Sequence, residues 1–186
     1  MPRILVVYGT TDGHTAKVAS ALAEALRQNG AVTDTHAAGD AAPAPHSYDA
    51  VMVAASVHAG GYQRSVRRWV RTHAAALASK PTAFVSVCLG VLQHEPEVQR
   101  DLQKILDDFI ASTGWRPGVT KLVAGALLYT KYGWLRRLAM KRIVAKAGGD
   151  TDTSRDYEYT DWQDVRRFAA DFGRGLSVAT SQTAVR

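Results

Sequence analysis

Short apolar runs alternate along the chain with longer segments in which apolar residues recur every three or four positions. The short runs are continuous and rich in branched residues, which is typical of strands buried on both faces of a sheet. The longer segments have the spacing of amphipathic helices. The predicted strands are Ile4–Tyr8, Ala31–Ala37, Ala50–Ala55, Thr82–Leu89 and Val119–Leu128. The predicted helices cover Val18–Leu26, Val66–Leu77, Val98–Ile110, Tyr132–Ala147 and Trp162–Leu176.

Five strands that alternate with five helices predict one α/β domain, with a parallel sheet between two layers of helices. This three-layer sandwich is expected to occupy residues 1–178. From Ser177 onward the chain is small and polar, so residues 179–186 are expected to form a frayed tail. Thr160 and Gln163 have the spacing of a capping box at the start of the last helix.

Length and composition are those of a globular protein with a full core. The chain has 186 residues, of which 46% are hydrophobic. The single cysteine, Cys88, excludes an intramolecular disulfide and a cysteine-rich zinc site. It fits a reducing compartment. No bound metal is expected. The apolar run before Gly9 is too short for a signal peptide. The longest charge-free stretch, Pro81–His94, is too short to span a membrane.

Charge is unevenly distributed along the chain. The net charge is +6, and the isoelectric point is near 9.6. No acidic residue lies among the eight cations between Phe109 and Gly149, or among the five between Ala50 and His94. A separated field of this kind favours an anionic partner such as a lipid surface, an acidic small molecule or nucleic acid. Nucleic acid is not expected, because the basic stretches lack recognition motifs, and a solvated basic face is the plain alternative.

The loop Gly9–Thr15 follows the first strand and precedes the first helix. Its two glycines, three hydroxyls and helix N-terminus suit a phosphate, because backbone N–H groups and the helix dipole stabilise an anion. It contains no lysine and matches neither the nucleotide-hydrolysing pattern nor Gly-x-Gly-x-x-Gly. Neutral donors alone are therefore expected to hold the phosphate, and a polar turn with a threonine N-cap is the alternative.

The phosphoryl-accepting receiver domain shares this topology, but it needs carboxylates after the first and third strands to hold Mg²⁺. Here Gly9-Thr10 and Ser56 occupy those positions, so this class of protein is excluded.

The segment Tyr8–Thr15 resembles the flavodoxin loop Thr/Ser-x-Thr-Gly-x-Thr, which holds the phosphate of FMN. Thr10, Gly13 and Thr15 match, whereas Asp12 stands where ordinary flavodoxins have a hydroxyl. The resemblance implies a flavodoxin-like fold with strand order 2-1-3-4-5 and FMN as the cofactor. It also implies that the isoalloxazine ring of the flavin lies between the loops after the third and fourth strands, where Tyr62 would cover one face of the ring. The implied cofactor-binding residues are Thr10, Thr11, Asp12, Gly13, His14, Thr15, Ser56, Val57, His58, Ala59, Tyr62, Cys88, Leu89, Gly90 and Val91.

A more specific resemblance runs over nearly the whole chain, to the menaquinone-dependent protoporphyrinogen oxidases of haem biosynthesis. It implies that FMN takes electrons from protoporphyrinogen and passes them to menaquinone, and that the flavin N5, rather than a side chain, does the chemistry. One segment departs: His94–Asp101 carries three acids and one arginine where the family has a long basic segment. Segments that carry the resemblance include Thr11–Thr15, Ala55–Tyr62, Tyr129–Trp134, Gly148–Thr153 and Tyr159–Trp162.

Because quinone lies in the bilayer, the resemblance also implies a cytoplasmic protein held peripherally on the inner face of the cell membrane. Basic and interfacial aromatic residues would contact anionic lipid or the propionates of the substrate. The alternative function is a flavodoxin-like electron-transfer protein without an organic substrate of its own, and homo-oligomer formation stays open. The candidate substrate and membrane residues are Arg64, Lys131, Tyr132, Trp134, Arg136, Arg137, Lys141 and Arg142.

Overall fold

The sheet has the expected parallel arrangement. The computed structural model describes residues 1–39, 41–134, 137–138, 144–145 and 149–183. Hydrogen bonds join five parallel strands in the order β2-β1-β3-β4-β5, which confirms the predicted order. The order reverses beside β1, so the carboxyl ends of β1 and β3 leave a crevice between their loops. The strands are β1 (Arg3–Gly9), β2 (Val32–Ala37), β3 (Ala50–Ser56), β4 (Thr82–Cys88) and β5 (Val119–Ala124).

Helices cover both faces of the sheet, as β1 illustrates. Successive side chains of a strand point to opposite faces. Ile4 and Val6 therefore pack in one core with α1 and α5, while Leu5 and Val7 pack in a second core with α2 and α4. All four side chains are fully buried, which explains why the strand reads as a continuous apolar run. The helices are α1 (His14–Gln28), α2 (Arg64–Thr72), α3 (Ala74–Ala78), α4 (Pro96–Thr113) and α5 (Trp162–Thr183).

The prediction of a single helix over Val66–Leu77 is wrong, because the helix is interrupted at His73 and two helices form instead. The His73 N–H bonds to the carbonyls of both Trp69 and Val70, which closes α2. The apolar spacing continues across the break, and Val70 and Leu77 are both fully buried. The hydrophobic pattern therefore carries no signal of the interruption.

The predicted fifth strand is also too long, because the chain leaves the main sheet at Gly125. The Gly125 N–H donates to the Cys88 carbonyl, and its own carbonyl accepts from the Tyr159 N–H. Beyond it the chain pairs with a later segment rather than with β4. The two short antiparallel strands formed there are β6 (Ala126–Leu127) and β7 (Tyr157–Glu158). This pairing brings the segment before α5 to the carboxyl edge of the sheet.

The predicted capping box at Thr160 is wrong by one residue. Asp161 caps α5 instead, since its Oδ1 accepts from the Asp164 N–H at 2.9 Å. The Thr160 hydroxyl donates to the Ala124 carbonyl at 2.7 Å. Thr160 thus ties the segment before α5 to the end of β5 rather than to its own helix.

The helix predicted over Tyr132–Ala147 lies largely outside the described residues. The last helix continues past Ser177 to Thr183. Fraying of residues 179–186 stays a prediction.

Candidate functional site

The carboxyl edge of the sheet opens into a cleft with a volume of about 280 Å³. The loops after β1, β3, β4 and β5 line it, together with one side chain of α4. The cleft lies where the strand order reverses, which is the usual ligand position in open α/β sheets. The structure therefore brings together the three loops that the sequence singled out, which follow β1, β3 and β4.

One end of the cleft is the N-terminus of α1. Gly13 precedes the helix with φ +93°, and its N–H donates to Thr10 Oγ1 at 2.9 Å. Within the part of the chain that the structure describes, no side chain caps the first turn, and this turn contains no acidic residue. Thr10, Asp12, His14 and Thr15 line the cleft beside it. Because the first N–H groups of a helix have no partner within the helix, this end of the cleft suits an anion.

Thr11 and Gly13 shape the loop and do not line the cleft. Thr11 Oγ1 accepts from Gln63 Nε2 at 3.2 Å, and the same amide donates to Ser56 Oγ at 2.6 Å. Gln63 thereby links the loop after β1 to the end of β3. Sequence reasoning missed this glutamine, which stands just before α2.

The loop after β3 forms the second wall. His58 and Gly61 exchange backbone hydrogen bonds of 2.8 and 3.1 Å, and Ala59 between them adopts φ +48°. His58 Nε2 lies 4.0 Å from Asp12 Oδ2, so the carboxylate that departs from the flavodoxin pattern turns toward this histidine. The predicted residues of this loop that line the cleft are Ser56, Val57, His58 and Ala59.

The third wall follows β4. Cys88, Leu89 and Gly90 line the cleft, whereas the predicted Val91 does not. A Cβ on Gly90 would lie 3.3 Å from Leu102 of α4, so glycine permits the close approach of this helix. Burial raises the pKa of the Cys88 thiol, which keeps it uncharged beside the cleft.

Sequence reasoning missed several residues of the cleft. Gly125, Ala126 and Leu128 line it because the chain leaves the sheet at Gly125. A glycine inside an otherwise apolar run is a signal of such a bend, and it was available in the sequence. Val87 and Leu102 also line the cleft, and their patterns indicated only core positions.

The structure places Tyr62 in the core rather than at the cleft. Its side chain is 6% exposed, and its hydroxyl donates to Ser86 Oγ at 2.8 Å. The ring meets Phe84 and Phe109 edge-on, each with centroids 5.0 Å away. Burial raises the pKa of Tyr62 to about 12. Tyr62 is thus a core residue of the α2 and α4 side of the sheet.

Among the described residues, Tyr132 is the tyrosine that lines the cleft. Its hydroxyl accepts from the Leu128 N–H at 3.3 Å, and the ring lies edge-on to Tyr129. The sequence assigned Tyr132 to a membrane or substrate surface. Its placement depends on where the chain goes after the bend at Gly125, and the glycine signals the bend without specifying that path.

His14 connects the loop after β1 to the segment before α5. Its Nε2 lies 2.7 Å from Thr160 Oγ1. Since the threonine hydroxyl proton goes to the Ala124 carbonyl, Thr160 accepts from the His14 Nε2–H. Burial lowers the pKa of His14, which favours the neutral ring with its proton on Nε2. Nδ1 faces Glu158 Oε2 at 3.5 Å.

The predicted basic and aromatic surface residues are placed differently from one another. Arg64 is exposed on α2, and Trp134 is 73% exposed. Arg137 is partly buried and donates to the carbonyls of Tyr129 and Tyr132, so it stabilises the chain locally. Among the described residues, no helix is both long and apolar enough to cross a membrane. Arg136, Lys141 and Arg142 lie outside the described residues.

Lys131 reaches back to the loop after β1. Its Nζ donates to the Asp12 carbonyl at 3.0 Å, although 119 positions separate the two residues in sequence. A cation therefore stands beside a loop that contains none of its own.

Comparison with known proteins agrees with this fold. The Flavodoxin domain family model matches residues 5–154. Protoporphyrinogen IX dehydrogenase (quinone) of Escherichia coli (strain K12) is 35% identical over 175 residues, covering 91% of this chain and 93% of that protein. The protein of the same name from Leishmania major is 31% identical, covering 92% and 74%. The chain therefore belongs to the flavodoxin domain family. Both of these relatives are named quinone-dependent protoporphyrinogen IX dehydrogenases, which are oxidoreductases.

Solved flavodoxins share the fold at low sequence identity. Oxidised Flavodoxin 1 from Bacillus cereus superposes with a TM-score of 0.55 at 13% identity, covering 92% of this chain and 97% of that one. The flavodoxin of Streptococcus pneumonia gives 0.54 at 14% identity, covering 95% and 99%. These likenesses cover most of each chain and support the fold alone.

Proposed function

We propose that the cleft binds FMN and that the protein passes electrons from protoporphyrinogen to a quinone, with menaquinone as the acceptor. The observation that carries the proposal is the uncapped N-terminus of α1, which faces a cleft walled by the loops after β3 and β4. The names of the homologues support protoporphyrinogen as the reductant and a quinone as the acceptor. The proposed role is thus a step of haem biosynthesis.

The residues present fit a flavin mononucleotide. The first N–H groups of α1 and the hydroxyls of Thr10 and Thr15 would hold the phosphate. The backbone around Ala59 and Gly90 would flank the ring, and Tyr132 would border it. Bound FMN supplies the two-electron chemistry, while the protein binds and orients it and excludes water.

The cofactor is tested by the visible spectrum of the purified protein. We expect flavin absorption bands, with FMN released into solution when the protein is denatured. Colourless protein that stays colourless with excess FMN and gives no heat of binding would contradict the proposal.

The substrate is tested by an anaerobic assay of the FMN-loaded protein with protoporphyrinogen. We expect porphyrin formation that requires added menaquinone, because the reduced cofactor must pass its electrons on. Omission of the quinone serves as the control. No turnover with quinone present would contradict this reductant while leaving the cofactor proposal standing.

We also propose peripheral contact with the anionic inner face of the cell membrane. Trp134 supports it, since a tryptophan that is 73% exposed has the character of an interfacial anchor. Co-sedimentation with vesicles that contain anionic lipid tests it. We expect vesicle binding to decrease as the salt concentration rises and to decrease in the Trp134→Ala variant. Vesicle binding that changes with neither would contradict the proposed membrane contact.

A second candidate is an electron-transfer protein without an organic substrate. It is favoured by the start of α4 at Pro96, soon after the turn Leu89–Leu92, which leaves no long basic segment between them. Glu95 and Glu97 instead make the beginning of this helix acidic. This function predicts electron delivery to a partner protein and no porphyrinogen turnover in the assay above.

A further inference from the structure

We propose that Lys131 supplies a cation to the phosphate end of the cleft, and that this cation makes the site discriminate FMN from riboflavin. The inference rests on the proposed flavin function. It gives a binding role to a side chain that the sequence pattern assigned to the substrate or membrane surface.

The position of the ammonium group is the first support. Lys131 Nζ is 3.0 Å from the Asp12 carbonyl oxygen and 3.5 Å from where a Cβ on Gly13 would stand. Gly13 is the residue immediately before α1. The ammonium therefore lies beside the N-terminus that would receive the phosphate. One of its three N–H groups donates to the Asp12 carbonyl, which leaves two that could donate to a phosphate oxygen.

The backbone beneath Lys131 is firmly held, which is the second support. Tyr129 is fully buried, and its hydroxyl donates to the Asp150 carbonyl at 2.9 Å. The N–H and hydroxyl of Thr130 bond to the two carboxylate oxygens of Asp156 at 2.9 and 2.8 Å. Because two anchored residues precede Lys131, only the side chain of Lys131, and not its backbone, has to become ordered when it contacts a ligand. This lowers the entropic cost of the contact.

The local charges are the third support. Asp12 puts a carboxylate in the loop that would hold a phosphate, and two anions in one site repel each other. Lys17, on the first turns of α1, has its Nζ 3.3 Å from Glu158 Oε2 and is already paired. Lys131 is the ammonium that contacts this loop within the described ranges, through the Asp12 carbonyl, and its charge is opposite in sign to that of the Asp12 carboxylate.

The size of the effect follows from exposure. A hydrogen bond to a charged group is strong when buried, but Lys131 is exposed and solvent screens it. We expect its loss to weaken FMN binding about tenfold, which is about 1.4 kcal/mol at 25 °C. Riboflavin has the same ring and no phosphate, so its affinity should not change.

The experiment compares Lys131→Met, Lys131→Arg and the matched control Lys104→Met. Lys104 is an exposed lysine of α4 whose partner is Asp108, so its variant removes the same charge away from the cleft. Dissociation constants for FMN and for riboflavin are measured by quenching of flavin fluorescence at low and high salt. Thermal unfolding of each apoprotein checks that the fold is intact.

We expect Lys131→Met to lower the ratio of FMN affinity to riboflavin affinity about tenfold. The salt dependence of this ratio should also become weaker. Lys131→Arg and Lys104→Met should keep the wild-type ratio. Equal loss of both ligands, or an unchanged ratio, would overturn the role of Lys131 and leave FMN as the cofactor. Wild-type protein that binds neither flavin would overturn the proposed function as well.

Discussion

Which tyrosine meets the cleft is decided by burial rather than by position after a strand. Tyr62 follows β3 closely in sequence, yet its ring completes the core with Phe84 and Phe109. Tyr132 is remote in sequence and lines the cleft. The two side chains therefore predict opposite consequences for stability and for flavin binding.

Tyr62→Phe should lower the free energy of unfolding by about 1 kcal/mol, because Ser86 loses the buried hydroxyl bonded to it. Its FMN affinity should equal that of the wild type. Tyr132→Leu should weaken FMN about threefold to tenfold through loss of an aromatic neighbour. Urea unfolding and flavin fluorescence measure the two effects, and a change in FMN affinity with Tyr62→Phe would contradict the assignment.

His14 carries a pH dependence whose sign follows from its surroundings. Burial holds the pKa of His14 below the ordinary value of 6.5 in the folded protein. Between these two pKa values the unfolded chain binds more protons, so the free energy of unfolding decreases as pH falls below about 6.5. His14→Gln keeps an N–H donor for Thr160 and removes the titration. We expect its stability to fall less between pH 7 and pH 5 than that of the wild type in urea unfolding, and parallel curves would count against this.

At the scale of elements, continuous apolar patterns hide breaks. The spacing of apolar residues runs through His73 between α2 and α3, and the apolar run of β5 continues past Gly125 into β6. Val70 and Leu77 are buried on either side of the first break, and Val123 and Leu127 are buried on either side of the second. The backbone changes its partners between them. The hydrophobic pattern predicts which side chains are buried, but it does not predict which backbone groups form hydrogen bonds with one another.

The start of α5 offers a test at this scale. Asp161→Ala removes the side chain that accepts from the Asp164 N–H and should cost about 1 kcal/mol of stability. Gln163→Ala should be nearly neutral, because the capping box that would use Gln163 does not form. Chemical denaturation of both variants decides the matter. A larger loss from Gln163→Ala than from Asp161→Ala would favour the capping box.

At the scale of the whole molecule, the cleft is a meeting point of segments far apart in sequence. The loop after β1 contacts Lys131 and Thr160, and the loop after β3 contacts it through Gln63 and His58. A ligand bound there touches several loops at once. Its binding should therefore stabilise the fold as a unit.

FMN should raise the thermal unfolding midpoint of the apoprotein in a concentration-dependent way. At a free concentration a hundredfold above the dissociation constant, linkage predicts about 2.7 kcal/mol of added stability. Differential scanning calorimetry over a series of FMN concentrations measures this. Adenosine monophosphate, which has a phosphate and no flavin ring, is the control, and an equal shift with it would indicate a general anion site.

Much of the fold and part of the site were predictable from sequence because their signals are local. The buried strands read as apolar runs, Gly30 ends the first helix region, and Gly9–Thr15 stands between a strand and a helix. The hydroxyl-rich loop lies at the N-terminus of α1 as expected. The pairing of β6 with β7, the burial of Tyr62 and the reach of Lys131 depend on contacts across more than twenty positions, which no local pattern encodes.

The sequence alone determined the order of strands and helices, the faces they bury and the loops that meet at one edge of the sheet. These follow from hydrophobic periodicity and from the geometry of parallel strands, and both act over short stretches of chain. Only the tertiary structure decided which side chains line the cleft and which cation stands over the helix N-terminus. Those choices arise when distant segments pack, because burial and pairing are properties of the folded whole.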